Sequence, residues 1–293
     1  MSSHIPVLLS EILNFLPCEE NSHGNFLDLT AGGGGHFCAI LNARANWLGE
    51  CWDRDPEAKE RLNIAINKNG LVNRAQFYAR SFGQGPRDNH KKFDFILADL
   101  GVSSFQLDDR SRGMSLFSNA PVDFRMNPSE GVGFSEWLSQ QNLTDLEFFL
   151  EEYGEEPRAK KLAAALKQWT NSEFQNTQTF AERIQKTLAY PPSSRTHPAT
   201  RSFQALRIAI NDELGELKKL LEWTPRFLKC GGVLAVISFH SVEDRLVKNS
   251  FRDLALKHEF DILTKKPLEA SEEEISLNPR SRSAKLRLLR NRS

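Results

Sequence analysis

Three aspartates and one run of glycines carry the most specific chemistry in this chain. Asp28 precedes Ala31-Gly32-Gly33-Gly34-Gly35-His36, Asp53 closes a second apolar run, and Asp99 closes a fourth. A glycine-rich turn between a strand and a helix lets a ligand approach the backbone closely. Two cofactor classes use such a turn. Dinucleotides set a pyrophosphate on the helix N-terminus and want Gly-x-Gly-x-x-Gly. Here Gly32-x-Gly34 is followed by Phe37 and Gly33-x-Gly35 by Cys38, so the third glycine is missing in both registers. S-adenosylmethionine has no pyrophosphate and carries a positive sulfonium and a positive ammonium, which call for carboxylates and bare backbone. An acid ending a second strand also suits a ribose diol, which offers two donors. Asp28 and Asp99 belong at the carboxyl ends of neighbouring strands, where open sheets bind ligands. The competing reading is an ordinary glycine turn flanked by solvated acids.

The elements that must position these groups alternate. Strands are predicted at Asn25–Thr30, Trp47–Trp52, Ala75–Tyr78 and Phe93–Leu100, the last almost continuously apolar. Between them Phe37, Ile40 and Leu41, then Ala58, Leu62, Ala65 and Ile66, fall at helical spacing. Asp55 reads as a helix N-cap with Pro56 behind it. Such alternation implies a parallel sheet with helices on both faces. It then stops: from Asp108 to Pro198 the pattern is helical, with capping boxes expected at Thr144/Glu147 and Thr179/Glu182. One long helix should follow, with Phe203, Leu206, Ile210, Leu214, Leu217 and Leu221 inward. Gly231-Gly232 opens a fifth strand, Val233–Phe239. A helix begins near Ser241, and strands Phe260–Thr264 and Lys285–Leu289 flank an acidic loop, Glu269–Glu274. By analogy of fold, a parallel α/β sheet ending in an antiparallel hairpin is the class I, Rossmann-like methyltransferase architecture. The expected division is a discontinuous methyltransferase domain, 1–107 and 199–293, carrying an inserted helical substrate-recognition domain, 108–198.

Composition narrows the function classes. Over 293 residues, Lys+Arg and Asp+Glu both total 38, which argues against binding polyanions by bulk charge and leaves only a local basic face. A hydrophobic share of 40% with 26% charged residues excludes a wholly disordered chain. No apolar run approaches the roughly 18–20 residues of a membrane helix, and the opening residues lack the basic region of a secretory signal. Cys18, Cys38, Cys51 and Cys230 are scattered, with no Cys-x-x-Cys pair. They read as reduced thiols of a cytoplasmic protein rather than disulfides or metal ligands.

Several further segments resemble one family throughout. They are His4-Ile5-Pro6-Val7-Leu8-Leu9-Ser10-Glu11, Asp99-Leu100-Gly101-Val102-Ser103-Ser104, Gln106-Leu107-Asp108, Arg112-Gly113 and Pro121-Val122-Asp123-Phe124-Arg125-Met126. They continue with Tyr153-Gly154-Glu155-Glu156, His197-Pro198-Ala199-Thr200-Arg201, Ser238-Phe239-His240-Ser241 and Asn278-Pro279-Arg280. In order and over nearly the whole chain, these resemble the bacterial small-subunit (16S) ribosomal RNA cytosine-N4 methyltransferases, the RsmH or MraW family. The resemblance implies S-adenosyl-L-methionine as methyl donor. It implies the N4 amine of a cytidine in the decoding region as acceptor, within 16S rRNA of the small subunit, by a cytoplasmic monomer or homodimer. It also implies site residues: Gly34, Gly35 and His36 as the cofactor turn, Asp53 on the ribose, Phe82 beside the adenine, and Asp99 and Gln106 completing the pocket. The chain departs from the pattern at Ala31 and Gly33, where an aromatic and a basic residue are expected, and at Phe105, where a proline is expected.

The acceptor chemistry supplies a separate check. The cytosine amine is a poor nucleophile because its lone pair feeds the ring, and an acceptor holding one N–H helps localise that pair. Many amino methyltransferases place Asp/Asn-Pro-Pro-aromatic after the fourth strand; here Asp99-Leu100-Gly101-Val102 keeps the acid alone. Asp99 is therefore either a cofactor ligand or the amine acceptor. His240 is a candidate catalytic group, weighed against a structural histidine at a strand end. Between Glu182 and Asp212 there is no acid, and Arg183, Lys186, Arg195, Arg201 and Arg207 are interleaved with Tyr190, His197 and Phe203. Basic groups follow phosphates and planar groups stack on bases, so Arg195, His197 and Arg201 are the expected RNA contacts. The tail from Pro279, also acid-free, is a second basic stretch. Rival readings are a DNA or small-molecule methyltransferase, a ribosome-assembly RNA-binding factor with a structural cofactor, and a nicotinamide oxidoreductase.

Overall fold

The computed structural model describes residues 5–17, 22–88, 90–190 and 197–292. The chain divides into two compact units: residues 1–101 with 214–293, and residues 102–213. The first holds an eight-stranded sheet of β1 (Gly24–Asp28), β2 (Trp47–Asp53), β3 (Ala75–Ala79), β4 (Phe93–Asp99), β5 (Leu228–Ser238), β6 (Phe260–Ile262), β7 (Leu268–Glu269) and β8 (Lys285–Asn291). Its order is β3-β2-β1-β4-β5-β8-β6, with β7 also on β8. β1 to β5 run parallel; β8 is antiparallel to β5, β6 and β7. This is the mixed Rossmann-like α/β sheet with a reversed end that the alternation predicted.

The order reverses direction between β1 and β4, so their carboxyl ends flank the crevice where open sheets bind ligands. β4 is buried along nearly its whole length because helices cover both faces. One core layer packs Phe26, Phe37 and Phe95 with the helix Gly35–Ala43; the other packs Trp52, Phe93 and Ile96 with Leu217, Leu221 and Phe251. β5 starts five residues before the predicted Val233. Gly231, at φ +76°, accommodates a register shift opposite Phe93–Phe95, and glycine alone does so at little cost. The acidic stretch expected as a loop forms β7 and a short helix, Glu272–Leu277, whose first turn takes an N-cap from Ser271.

The 102–213 unit is helical, built on an aromatic core of Phe124, Phe134, Phe174, Phe180 and Phe203 with edge-on rings. The expected boundaries 108–198 lie inside it, because the capped helix Ser104–Asp108 and the helix Thr200–Asn211 also belong to this unit. The single long helix predicted after Ala199 is two helices, Thr200–Asn211 and Glu213–Phe227. They break at Asp212, which sits at φ +51°, a conformation aspartate tolerates better than most residues. Asn211 turns its amide onto Phe124 O and Met126 N instead of extending the helix, and Arg207 clamps Glu213. The two predicted capping boxes are displaced as well. Asn142 and Asn176 cap those helices, while complete boxes form at Ser103/Gln106 and Thr170/Glu173.

Among the described residues, no helix is long and apolar enough to cross a membrane. Cys38 and Cys51 are free and buried, Cys230 is free and exposed, and Cys18 lies outside the described residues.

Candidate functional site

The glycine turn is built from both sides. Ala31 N–H bonds Trp52 O (2.8 Å), and Gly32 N–H bonds Asp53 Oδ2 (2.8 Å), so the turn is stitched to the end of β2. Gly34 sits at φ +79°, and a Cβ there would lie 2.7 Å from Leu62 Cδ1. Both the backbone conformation and the close approach require glycine at this point. The helix Gly35–Ala43 follows immediately.

Three carboxylates surround this turn. Asp28, at the end of β1, is 1% exposed; its Oδ1 accepts the Thr30 N–H (3.0 Å). Burial pushes its pKa up to about 7, with the Thr30 bonds pulling back and the Asp53 charge adding to the rise. Asp53 receives backbone N–H groups on both oxygens, Gly32 on Oδ2 and Asp55 on Oδ1, and burial still pushes it up to about 6. Asp99, at the end of β4, is pushed up to about 8, first by burial, then by the charges of Asp28 and Glu243. Its Oδ1 is shut off from solvent and has no hydrogen-bond partner among the described residues. Its Oδ2 lies 3.6 Å from His36 Nδ1. Thr30 joins two of these groups, since its Oγ1 accepts the Asp99 N–H (2.7 Å).

Asp28 and Asp99 have no arginine or lysine partner among the described residues. Buried carboxylates usually have one, because isolated negative charge is costly away from water. Further along, Phe82 opens a short 3-10 turn after β3 and packs partly buried near Trp52 and Trp223. Trp223 Nε1–H bonds the Phe82 carbonyl (2.9 Å).

A family model described as the MraW methylase family matches residues 1–292. The chain belongs to the MraW methylase family. It is 44% identical to the ribosomal RNA small subunit methyltransferase H of Prochlorococcus marinus (strain NATL1A), over 98% of this chain and 94% of that protein. It is 43% identical to the Cyanothece sp. protein of the same name, over 97% and 93%, and 38% identical to that of Acidobacterium capsulatum, over 97% of each. Among solved structures the likeness is looser: an rRNA methylase from Streptococcus thermophilus aligns at 9% identity and TM-score 0.44, over 99% of this chain and 100% of that one.

The methyl donor of this MraW-family chain is S-adenosylmethionine, and the residues present fit it. The unpartnered Asp99 Oδ1 suits a cationic donor. The turn has no room for a side chain at Gly34. Each Asp53 oxygen accepts one backbone bond and keeps a lone pair for a hydroxyl.

The structure places the other predicted site residues as follows. Gly34, Gly35, His36, Asp53, Phe82 and Asp99 all lie in the sheet unit, at or just beyond the carboxyl ends of β1 to β4. Gln106 belongs to the helical unit. There its Oε1 accepts the Ser103 N–H (2.9 Å) and its Nε2 donates to Met126 O (3.4 Å). His240 is the N-cap of the helix Ser241–Ala255. Its Nδ1 accepts the Glu243 N–H, and its Nε2 lies 3.2 Å from the Glu243 carboxylate. Arg195 lies outside the described residues. His197 accepts the Ala199 N–H on Nδ1, and Arg201 is exposed and donates to Glu155 O.

Space cancels much of the basic stretch that looked acid-free in sequence. Arg183 pairs with Glu173 and lies over Trp169, Arg207 pairs with Glu213, and Phe203 is in the core. In the tail, Arg287 forms a buried bidentate pair with Asp244, and Arg290 and Arg292 both meet Asp261. Two residues escaped the sequence reading. Thr30 had a signal, since Asp-x-Thr is an Asx-turn spacing. Phe117, 63% exposed and edge-on to His197 at 5.9 Å, had none, because it occurs in no charged or periodic pattern.

Proposed function

We propose that this chain methylates the exocyclic N4 amine of a cytidine in the decoding region of 16S rRNA, as part of small-subunit assembly in the cytoplasm. The observation that carries the reading is a pair of carboxylates, the buried Asp28 and the partly exposed Asp99, which have no arginine or lysine partner among the described residues beside a glycine turn in a chain of the MraW methylase family. When bound, S-adenosylmethionine supplies an electrophilic methyl group on a cationic sulfur. The chain's own residues do the rest. Gly34 and Gly35 let the turn pack tightly against Leu62 and Pro6 and so hold its backbone beside the ligand, Asp53 accepts the ribose hydroxyls, and Phe82 walls the adenine. The Asp99 carboxylate accepts an ammonium N–H. Ordered placement of two reactants contributes much of the rate in such transfers, because the amine is neutral and needs only alignment and loss of a proton.

A second role for Asp99, holding the cytosine amine, is favoured by the same carboxylate. Asp99→Asn separates the two: loss of cofactor affinity marks a ligand, and loss of rate alone marks an amine acceptor. His240, whose Nδ1 accepts the Glu243 N–H at the start of its own helix, is read as a positioning group for that helix start. RNA contact is assigned to His197 and Arg201, with Phe117 as a stacking surface, and to Arg195. The deciding experiment is methyl transfer from labelled S-adenosylmethionine to undermethylated small subunits, with the modified nucleoside identified. N4-methylated cytidine is expected; any other product overturns the reading.

A further inference from the structure

The segment Ile5-Pro6-Val7-Leu8 lies against the cofactor turn. Val7 O is 2.8 Å from His36 Nε2. A carbonyl oxygen only accepts, so Nε2 carries the hydrogen. That leaves Nδ1 facing Asp99 Oδ2 at 3.6 Å, and any bond between them needs one proton shared by the two groups. Pro6 packs where Gly35 lacks a side chain: a Cβ there would lie 2.8 Å from Pro6 Cγ. The segment is held from its other side by the chain's far end. Leu8 N–H bonds Glu274 Oε1 (2.8 Å), and Asn278 Nδ2 donates to Ile5 O (3.2 Å). Leu8 itself is turned to φ +54°, a strained conformation for a non-glycine residue, which persists only when its surroundings hold it.

We propose that Ile5–Leu8 is a strap over the cofactor turn, pinned by Glu274 and Asn278, and that it makes His36 the positioning residue for the Asp99 carboxyl. The strap fixes which ring nitrogen donates, and thereby which one faces Asp99. The ionisable groups around Asp99 are His36 from the helix Gly35–Ala43, Asp28 from β1, and Glu243 from the helix after β5. With His36 fixed, the single proton of the His36–Asp99 pair has a defined seat, and the carboxyl keeps one orientation with Oδ1 unpartnered. This deepens the assignment of Asp99 to the cofactor site and rests on it.

The test uses the full chain and S-adenosylhomocysteine as the probe, so that no turnover intrudes. Glu274→Ala with Asn278→Ala removes both tethers without altering a residue of the turn. Three changes are expected: faster hydrogen exchange at the Leu8 amide, a shifted titration of the Asp99 carboxyl by carbon NMR, and about tenfold weaker binding, the loss typical of one hydrogen bond to a charged group. His36→Gln keeps a donor for Val7 O and loses the nitrogen facing Asp99. It should leave Leu8 protected and still shift the Asp99 titration, which a merely structural histidine would not do. The proposal is overturned if exchange at Leu8 does not change in the double variant. It is equally overturned if exchange rises while the Asp99 titration and the affinity stay put. Asp99→Ala distinguishes the underlying reading: unchanged affinity there removes Asp99 from the cofactor site, and the strap then stands or falls on the Leu8 exchange and Asp99 titration alone.

Discussion

The sheet unit and the helical unit handle charge in opposite ways. At the carboxyl ends of β1 and β4, Asp28 is buried and Asp99 has one oxygen shut off from water, and neither has an arginine or lysine partner among the described residues. In the helical unit the arginines that look free in sequence are mostly engaged, Arg183 with Glu173 and Arg207 with Glu213. A charge run in sequence is thus weak support for a nucleic-acid surface, because acids from elsewhere in the chain neutralise it. Buried acids without cations are stronger support for a ligand, because folding alone disfavours them.

The largest test of that contrast is stability against pH. Asp99, Asp28 and Asp53 have folded pKa values near 8, 7 and 6, all raised by burial above the ordinary carboxylate value. The folded state therefore binds these protons more tightly than the unfolded chain, and stability falls as pH rises from about 4 towards 8. Thermal melts across that range should show the fall. Saturating S-adenosylmethionine should flatten it, since positive charge favours the ionised carboxylates. A ligand-free melt that rises towards pH 8 breaks the comparison.

Next come the carboxylates themselves. Asp53→Ala removes the acceptor of two backbone N–H groups and the ribose contacts, and should weaken cofactor binding by about 1–3 kcal/mol by calorimetry. On the helical side, Phe117→Ala should leave the melting temperature nearly unchanged, because the ring is exposed. It should weaken small-subunit binding by about 1 kcal/mol, the low end for a base stacked on an aromatic ring. The smallest effect sharpens the contrast most. Arg201→Ala should make the salt dependence of small-subunit binding shallower by about one unit, and Arg183→Ala should not, because Glu173 already neutralises it. Equal slopes for both variants would show that pairing within the fold does not decide which arginines meet phosphate.

The sequence was a good guide where local physics dominates. Asp28, Asp53 and Asp99 were placed at strand ends because each closes an apolar run, and such runs survive in the fold as the buried strands β1, β2 and β4. It was a poor guide to helix starts, where Asn142 and Asn176 outcompeted the threonines two or three residues on. Several neighbouring Ser, Thr, Asn and Asp residues there can cap equally well, and packing chooses among them.

By itself, then, the sequence determined the order of elements, the glycine turn and the acids that line it, all features set within a few residues of chain. The tertiary structure alone decided the rest. At the break beside Asp212, Asn211 reaches Phe124 and Met126, more than 80 positions away in sequence. The pairing of Arg183, Arg207 and the tail arginines depends on acids brought alongside by packing. His36 meets Val7 O on one side and Asp99 on the other, and Leu8 N–H meets Glu274 from the far end of the chain. Such contacts join parts of the chain that no local pattern relates, and each forms only once loop closure has brought the partners together and their burial outweighs the entropy of doing so.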